Sequence, residues 1–163
     1  MKTVFLLRHA KSKQNPCYAT DFERPLTKRG KQDAARVGEW MAERDLLPNL
    51  VISSPAKRAK QTTLRCAQAA DYQGEIRFDE ALYGNGEDAY LASLERLDDT
   101  IQSVMLVGHN PDITIVVETL SGAYNRMPTA ALARIDLPIA RWSMLMGEEK
   151  AGKLIWVQLP HDL

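Results

Sequence analysis

"KTVFLLRHAKSKQN", Lys2 to Asn15, decides the fold. It opens on an apolar run with almost no polar alternation, which is how a short strand buried on both faces reads. The run stops abruptly at Arg8 and His9. In an open α/β sheet, ligands bind beyond the carboxyl ends of the strands. If Lys2–Arg8 is such a strand, this arginine and histidine stand at a binding edge, and the rest of the chain has to supply parallel partners and covering helices.

It does so in alternation. Thr27 caps a predicted helix running to about Asp45, with Ala34, Val37, Trp40 and Met41 on one face. "NLVIS" (Asn49–Ser53) is a second strand, and Ser54–Pro55 predicts the start of a helix to about Ala70. "EIRF" (Glu75–Phe78) is a third strand, followed by a helix over Glu87–Leu97 with Tyr90, Leu91, Leu94 and Leu97 as its stripe. "SVMLVG" (Ser103–Gly108) is a fourth strand, and Asn110–Pro111 predicts another helix start, with Ile113, Val116, Val117 and Leu120 inward. Then the pattern changes. "ALARIDL" (131–137) reads as a half-exposed strand, "EEKAGK" (148–153) as a hairpin turn and "LIWVQL" (154–159) as an edge strand. The expectation is a single α/β domain over residues 1–163, a three-layer α/β/α sandwich with a mostly parallel sheet and an antiparallel edge.

Composition narrows the function. The 163 residues suit one domain, and 45% hydrophobic with 26% charged content is ordinary for a globular protein. Lys plus Arg equals Asp plus Glu, 21 each, so neither nucleic acid nor an anionic membrane is the expected partner. The N-terminal apolar run is too short for a signal peptide, and Cys17 and Cys66 show no metal-binding spacing. A cytoplasmic monomer without metal or cofactor is the expectation.

The predicted strand ends carry the chemistry. Arg8 and His9 follow the first, "SSPAKRAKQT" with Arg58 the second, Glu80 and Tyr83 in "DEALYG" the third, and His109 in "VGHNP" the fourth. Of three histidines, two fall at strand ends; His161 lies in the tail. Two imidazoles and two guanidiniums at one sheet edge point to a tetrahedral dianion, because the planar arginine fork matches phosphate oxygens. Helix starts nearby add free N–H groups. Asp21 and Arg24 are read as an ion pair shaping the rim, Lys57 and Lys60 as a solvated face, and Trp40, Trp142 and Trp156 as packing residues. A metal site on His109 and Asp112 lacks a third ligand.

"LLRHAKSKQN" resembles the signature of the histidine phosphatase superfamily, the phosphoglycerate-mutase-like proteins. "SSPAKRAKQT" and "VGHNP" are similar to that family's second-arginine and second-histidine segments, in the same order. "DFERPLTKRGKQDA" and the short chain are most similar to its SixA-type phosphohistidine phosphatases. The resemblance implies a phosphoglycerate-mutase-like fold and a metal-independent phosphatase. His9 would be the nucleophile, with Arg8, Arg58 and His109 holding phosphate. It implies Asn15 as a further phosphate contact and Glu80 as a candidate general acid. The implied partner is phosphohistidine on a protein, such as a histidine phosphotransfer domain or a phosphocarrier. A small phosphorylated metabolite is the alternative substrate, and a non-catalytic binder of phosphorylated partners the third possibility. Ala10 departs from the glycine common after Arg-His, which matters only if that position needs positive φ.

Overall fold

A computed structural model describes residues 1–14, 20–147 and 152–163. Asn15, Cys17 and most of the predicted 148–153 turn therefore lie outside the described residues. Six strands form one sheet: β1 (Lys2–Arg8), β2 (Leu50–Ser53), β3 (Glu75–Phe78), β4 (Ser103–Gly108), β5 (Leu132–Leu137) and β6 (Lys153–Gln158). Their spatial order is β3-β2-β4-β1-β5-β6. The first four positions are mutually parallel, while β5 runs antiparallel to β1 and β6 to β5. This is the expected α/β architecture with an antiparallel edge.

The apolar run of β1 reads as continuous because both faces are covered. Val4 and Leu6 join one core with α3 (Glu87–Glu95) and α4 (Asp112–Ser121); Phe5 and Leu7 join the other with α1 (Lys28–Glu43) and α2 (Lys57–Ala69). Thr27 caps α1 as predicted, its hydroxyl accepting from the Gly30 N–H at 3.0 Å. Gly30 and Gly38 let α1 lie close: a Cβ at the first would strike the Lys11 carbonyl, and at the second the Cys66 carbonyl of α2.

Three expectations need correction. The Ser54–Pro55 helix begins two residues later than predicted, at Lys57, because the Ser54 hydroxyl is engaged elsewhere. Asn110–Pro111 likewise precedes α4, although the Asn110 side chain still accepts from the Thr114 N–H at 3.2 Å. And β5 is not half-exposed. It lies between β1 and β6, with Leu132, Ala133, Ile135 and Leu137 all buried. After β5, a 3-10 turn at Trp142–Met144 buries Trp142.

Candidate active site

Strand register builds the site. Arg8 pairs with Gly108 across β1 and β4, and Ser53 with Val107 across β2 and β4. The residues that follow each strand are therefore neighbours. The His9 N–H donates to the Gly108 carbonyl at 2.9 Å, and the Ser54 N–H to the Val107 carbonyl at 2.9 Å. The rings of His9 and His109 consequently face each other, centroids 5.3 Å apart and tilted by 51°.

Each side chain is held from behind. His9 Nδ1 lies 2.7 Å from the Ala10 carbonyl, an acceptor only, so Nδ1 carries the proton and Nε2 keeps its lone pair. Ala10 in turn donates its N–H to Thr62 Oγ1 at 3.0 Å, while Thr62 donates to the Arg58 carbonyl at 2.7 Å. One hydroxyl thus ties the end of β1 to the turn of α2 that carries Arg58. Ala10 is absent from the positive-φ positions, so its Cβ brings no backbone strain. Arg8 donates to the Met127 carbonyl at 3.1 Å, and the Ala130 N–H donates to both the Arg8 and His9 carbonyls at 3.1 Å. Ala130 adopts the left-handed region, φ 61°, a conformation a non-glycine residue holds only when its surroundings demand it. His109 Nε2 lies 2.8 Å from Ser54 Oγ, and its backbone N–H donates to Tyr90 Oη at 3.1 Å.

The group is buried and strongly cationic. His9, Arg58 and His109 are 7%, 5% and 8% exposed. Burial first, then Arg58 and Arg8, outweigh the Ala10 hydrogen bond and lower the His9 pKa to about 4; burial, then His9 and Arg58, lower that of His109 to about 3. Both rings are neutral in the free protein at neutral pH. Arg8 Nε, Arg58 Nε and His109 Nδ1 are buried without a hydrogen-bond partner among the described residues. Buried N–H groups left unpaired are costly. The two guanidinium N–H groups and the His109 ring, beside the lone pair of a neutral His9, form a ready receptor for phosphate oxygens.

Of the residues singled out in the sequence, Arg8, His9, Arg58 and His109 come together. Glu80 is exposed, lines a cleft of about 450 Å³ with Arg77, Ser93 and Arg96, and makes no hydrogen bond or ion pair with the four among the described residues. The loop instead delivers Tyr83, whose ring lies edge-on to His109 at 5.4 Å. Asp21 pairs with Arg24 at 2.9 Å as expected, and also with Arg58 at 2.8 Å. Sequence reasoning missed Ser54, Thr62 and Ala130. Ser54 read as a helix cap, and nothing marked Thr62 or Ala130. No cluster of three His, Cys, Asp or Glu side chains that could hold a metal occurs among the described residues. No helix among them is long and apolar enough to cross a membrane.

Comparison with known proteins agrees. Residues 4–128 match the family model for the histidine phosphatase superfamily (branch 1). An uncharacterized chloroplastic protein of Arabidopsis thaliana is 30% identical over 144 residues, 83% of this chain and 66% of the relative. One from Mycobacterium leprae is 25% identical over 94% of this chain and 99% of its own length. A structure from Agrobacterium tumefaciens, provisionally named as a phosphohistidine phosphatase SixA, superposes with a TM-score of 0.83 at 30% identity, covering 98% of both chains. A second so named, from Nakamurella multipartitia, gives 0.81 at 28% identity, covering 98% of this chain and 96% of that one. A strand-end pair of histidines, a second arginine delivered by α2 and a match running through both therefore lead to one assignment: this chain belongs to the histidine phosphatase superfamily, in its SixA-type branch, and is a phosphatase.

Proposed function

We propose that the protein removes phosphate from phosphohistidine on a partner protein, such as a histidine phosphotransfer domain or a phosphocarrier, through a phosphorylated His9. The observation that carries this is the tautomer of His9, fixed by the Ala10 carbonyl at 2.7 Å, beside nitrogens of Arg8, Arg58 and His109 that have no partner among the described residues. The Nε2 lone pair attacks phosphorus in line, and the electron pair of the breaking P–N bond goes to the departing imidazole. Water then releases phosphate from His9. Arg8, Arg58 and His109 hold the non-bridging oxygens, which is most of what a protein contributes to phosphoryl transfer. As the anion arrives it favours protonation of His109, reversing the low pKa of the free protein. Asn15 is assigned a supporting phosphate contact.

Phosphohistidine suits this group better than an ester. Asp21 is the carboxylate hydrogen-bonded into the group among the described residues. Burial works to raise its pKa, but hydrogen bonds from Tyr83, Arg24 and Arg58 outweigh that and hold it at about 2. It has no proton to give an alkoxide. An imidazole protonated on its far nitrogen needs none.

A second reading is hydrolysis of small phosphate monoesters, with Glu80 as the proton donor to the departing alkoxide. Two experiments decide. Incubation with a radiophosphorylated phosphotransfer domain is expected to leave acid-labile, base-stable label on the wild type and none on His9→Ala; equal labelling of both removes His9 as nucleophile. Glu80→Gln is expected to leave phosphohistidine turnover intact, and a collapse of ester turnover alone would support the second reading.

A further inference from the structure

We propose that Asp21 selects the leaving group, its fixed carboxylate at the mouth favouring a cationic phosphoimidazole over a substrate that carries a second anion. This rests on the phosphohistidine reading and names the residue that enforces it.

The mouth is identified by exposure. His9, Arg58 and His109 are buried, whereas the Asp21 side chain is 54% exposed and Tyr83 beside it is half-buried. Strand ends close the inner side, so the body of a substrate extends past Asp21. The carboxylate cannot swing away. Its Oδ1 accepts from Arg24 Nε at 2.9 Å, and its Oδ2 from Arg58 Nη2 and Tyr83 Oη, both at 2.8 Å. Its backbone carbonyl accepts from Arg58 Nη1 at 2.7 Å. Arg24 is itself anchored by Ser12 Oγ at 2.7 Å and the Lys13 carbonyl at 2.9 Å.

Two effects follow. Asp21 occupies one N–H on each outer nitrogen of Arg58 and leaves Nε–H, buried and unpartnered among the described residues, for the phosphoryl group. It also places a negative charge where the leaving ring must lie. A nearby carboxylate keeps the proton on the far nitrogen of that ring. When P–N cleavage returns the electron pair to the near nitrogen, the ring departs neutral. His9, retaining its Nδ1 proton, takes up the positive charge as its Nε2 forms the new P–N bond. No proton has to move between the partners. A substrate with an additional carboxylate or phosphate finds Arg24 Nε and the outer nitrogens of Arg58 already engaged by Asp21, so its second anion gains no ion pair there.

The test compares kcat/KM for free phosphohistidine, p-nitrophenyl phosphate and 3-phosphoglycerate in the wild type, Asp21→Asn and Asp21→Glu. Asp21→Asn is expected to cut phosphohistidine about tenfold or more, to cut p-nitrophenyl phosphate less than phosphohistidine, and to raise 3-phosphoglycerate. Asp21→Glu, which keeps the charge, is expected to retain the wild-type preference. Equal losses on all three substrates would mean that Asp21 serves only to hold Arg58, and the selector is overturned. A wild type that prefers 3-phosphoglycerate to phosphohistidine removes the underlying functional reading, whatever the variants do.

Discussion

His9 and His109 carry opposite demands, since a nucleophile must be neutral and a phosphate holder is best charged. The free protein keeps both neutral, well below the ordinary 6.5, by burial and by the nearby arginines. The sign of the pH dependence follows. As pH falls below about 6.5 the unfolded chain binds protons that the folded one refuses, so stability falls with pH, by up to about 1.4 kcal/mol per pH unit for each ring, until about 4 for His9 and 3 for His109. Melting curves at pH 7.5 and 5 are expected to show this loss, and His109→Asn to reduce it. A bound dianion reverses the preference of His109. Tungstate binding is therefore expected to take up a proton, seen as a buffer-dependent heat, and to weaken as pH rises. Thr62 makes a separate prediction. Thr62→Val leaves the buried Ala10 N–H unpaired and is expected to cost about 1–3 kcal/mol in denaturant unfolding. The arginines and histidines were legible in the sequence because strand ends are predictable and these residue types are scarce there. Ser54, Thr62 and Ala130 were not, because their roles depend on which chain segments lie across from them, and a lone hydroxyl or methyl carries no such information.

Elements were legible where periodicity was strong and illegible where function intruded on their ends. Thr27 caps α1 as expected because its hydroxyl can accept from the Gly30 N–H while donating to the Lys11 carbonyl at 3.2 Å. Ser54 looked like an equally good cap, yet its hydroxyl meets His109 and accepts from the Ala56 N–H at 3.2 Å, so the helix waits until Lys57. That delay seats Arg58 in the first turn of α2, buried against the site. The alternating pattern of "ALARIDL" predicted a half-exposed strand, but Arg134 and Asp136 pair with each other at 3.0 Å and let an interior strand carry charge. The end of β4 shows how closely an element can be tied to its site. A Cβ on Gly108 would strike the hydroxyl of Tyr90, which donates to the Leu82 carbonyl and accepts from the His109 N–H. Gly108→Ala is expected to push Tyr90 aside, lower stability by about 1–3 kcal/mol and reduce phosphatase activity together with it. Tyr90→Phe keeps the packing and removes only the hydroxyl, so it is expected to lose activity with a smaller stability cost.

At the scale of the molecule, the sheet separates chemistry from stability along one strand. The carboxyl end of β1 carries Arg8 and His9; its other end carries Lys2, only 1% exposed. Seven residues of strand put these ends about 20 Å apart. Buried lysines are rare unless their ammonium is satisfied, and here Nζ donates to the Asp99 carbonyl at 2.6 Å and the Ile101 carbonyl at 2.9 Å. It also lies 5.5 Å from the centre of the Trp142 ring. Trp142 shares the same acceptors' segment, its indole N–H donating to the Ile101 carbonyl at 2.9 Å and its backbone N–H to Asp99 Oδ1 at 2.9 Å. One lysine thus bolts the start of the sheet to the loop before β4 and to the β5–β6 link. Hydrogen bonds to a charged group contribute about 1.5–3 kcal/mol each, and truncation also opens a cavity. Lys2→Ala is expected to destabilise the fold by about 2–4 kcal/mol. Lys2→Met keeps most of the volume and is expected to cost less. Neither changes the groups that touch phosphate, so kcat/KM measured well below the melting temperature is expected to stay at the wild-type value in both. A Lys2 variant that keeps its stability but loses turnover would show that the two ends of β1 are coupled, and that this division of the molecule is wrong.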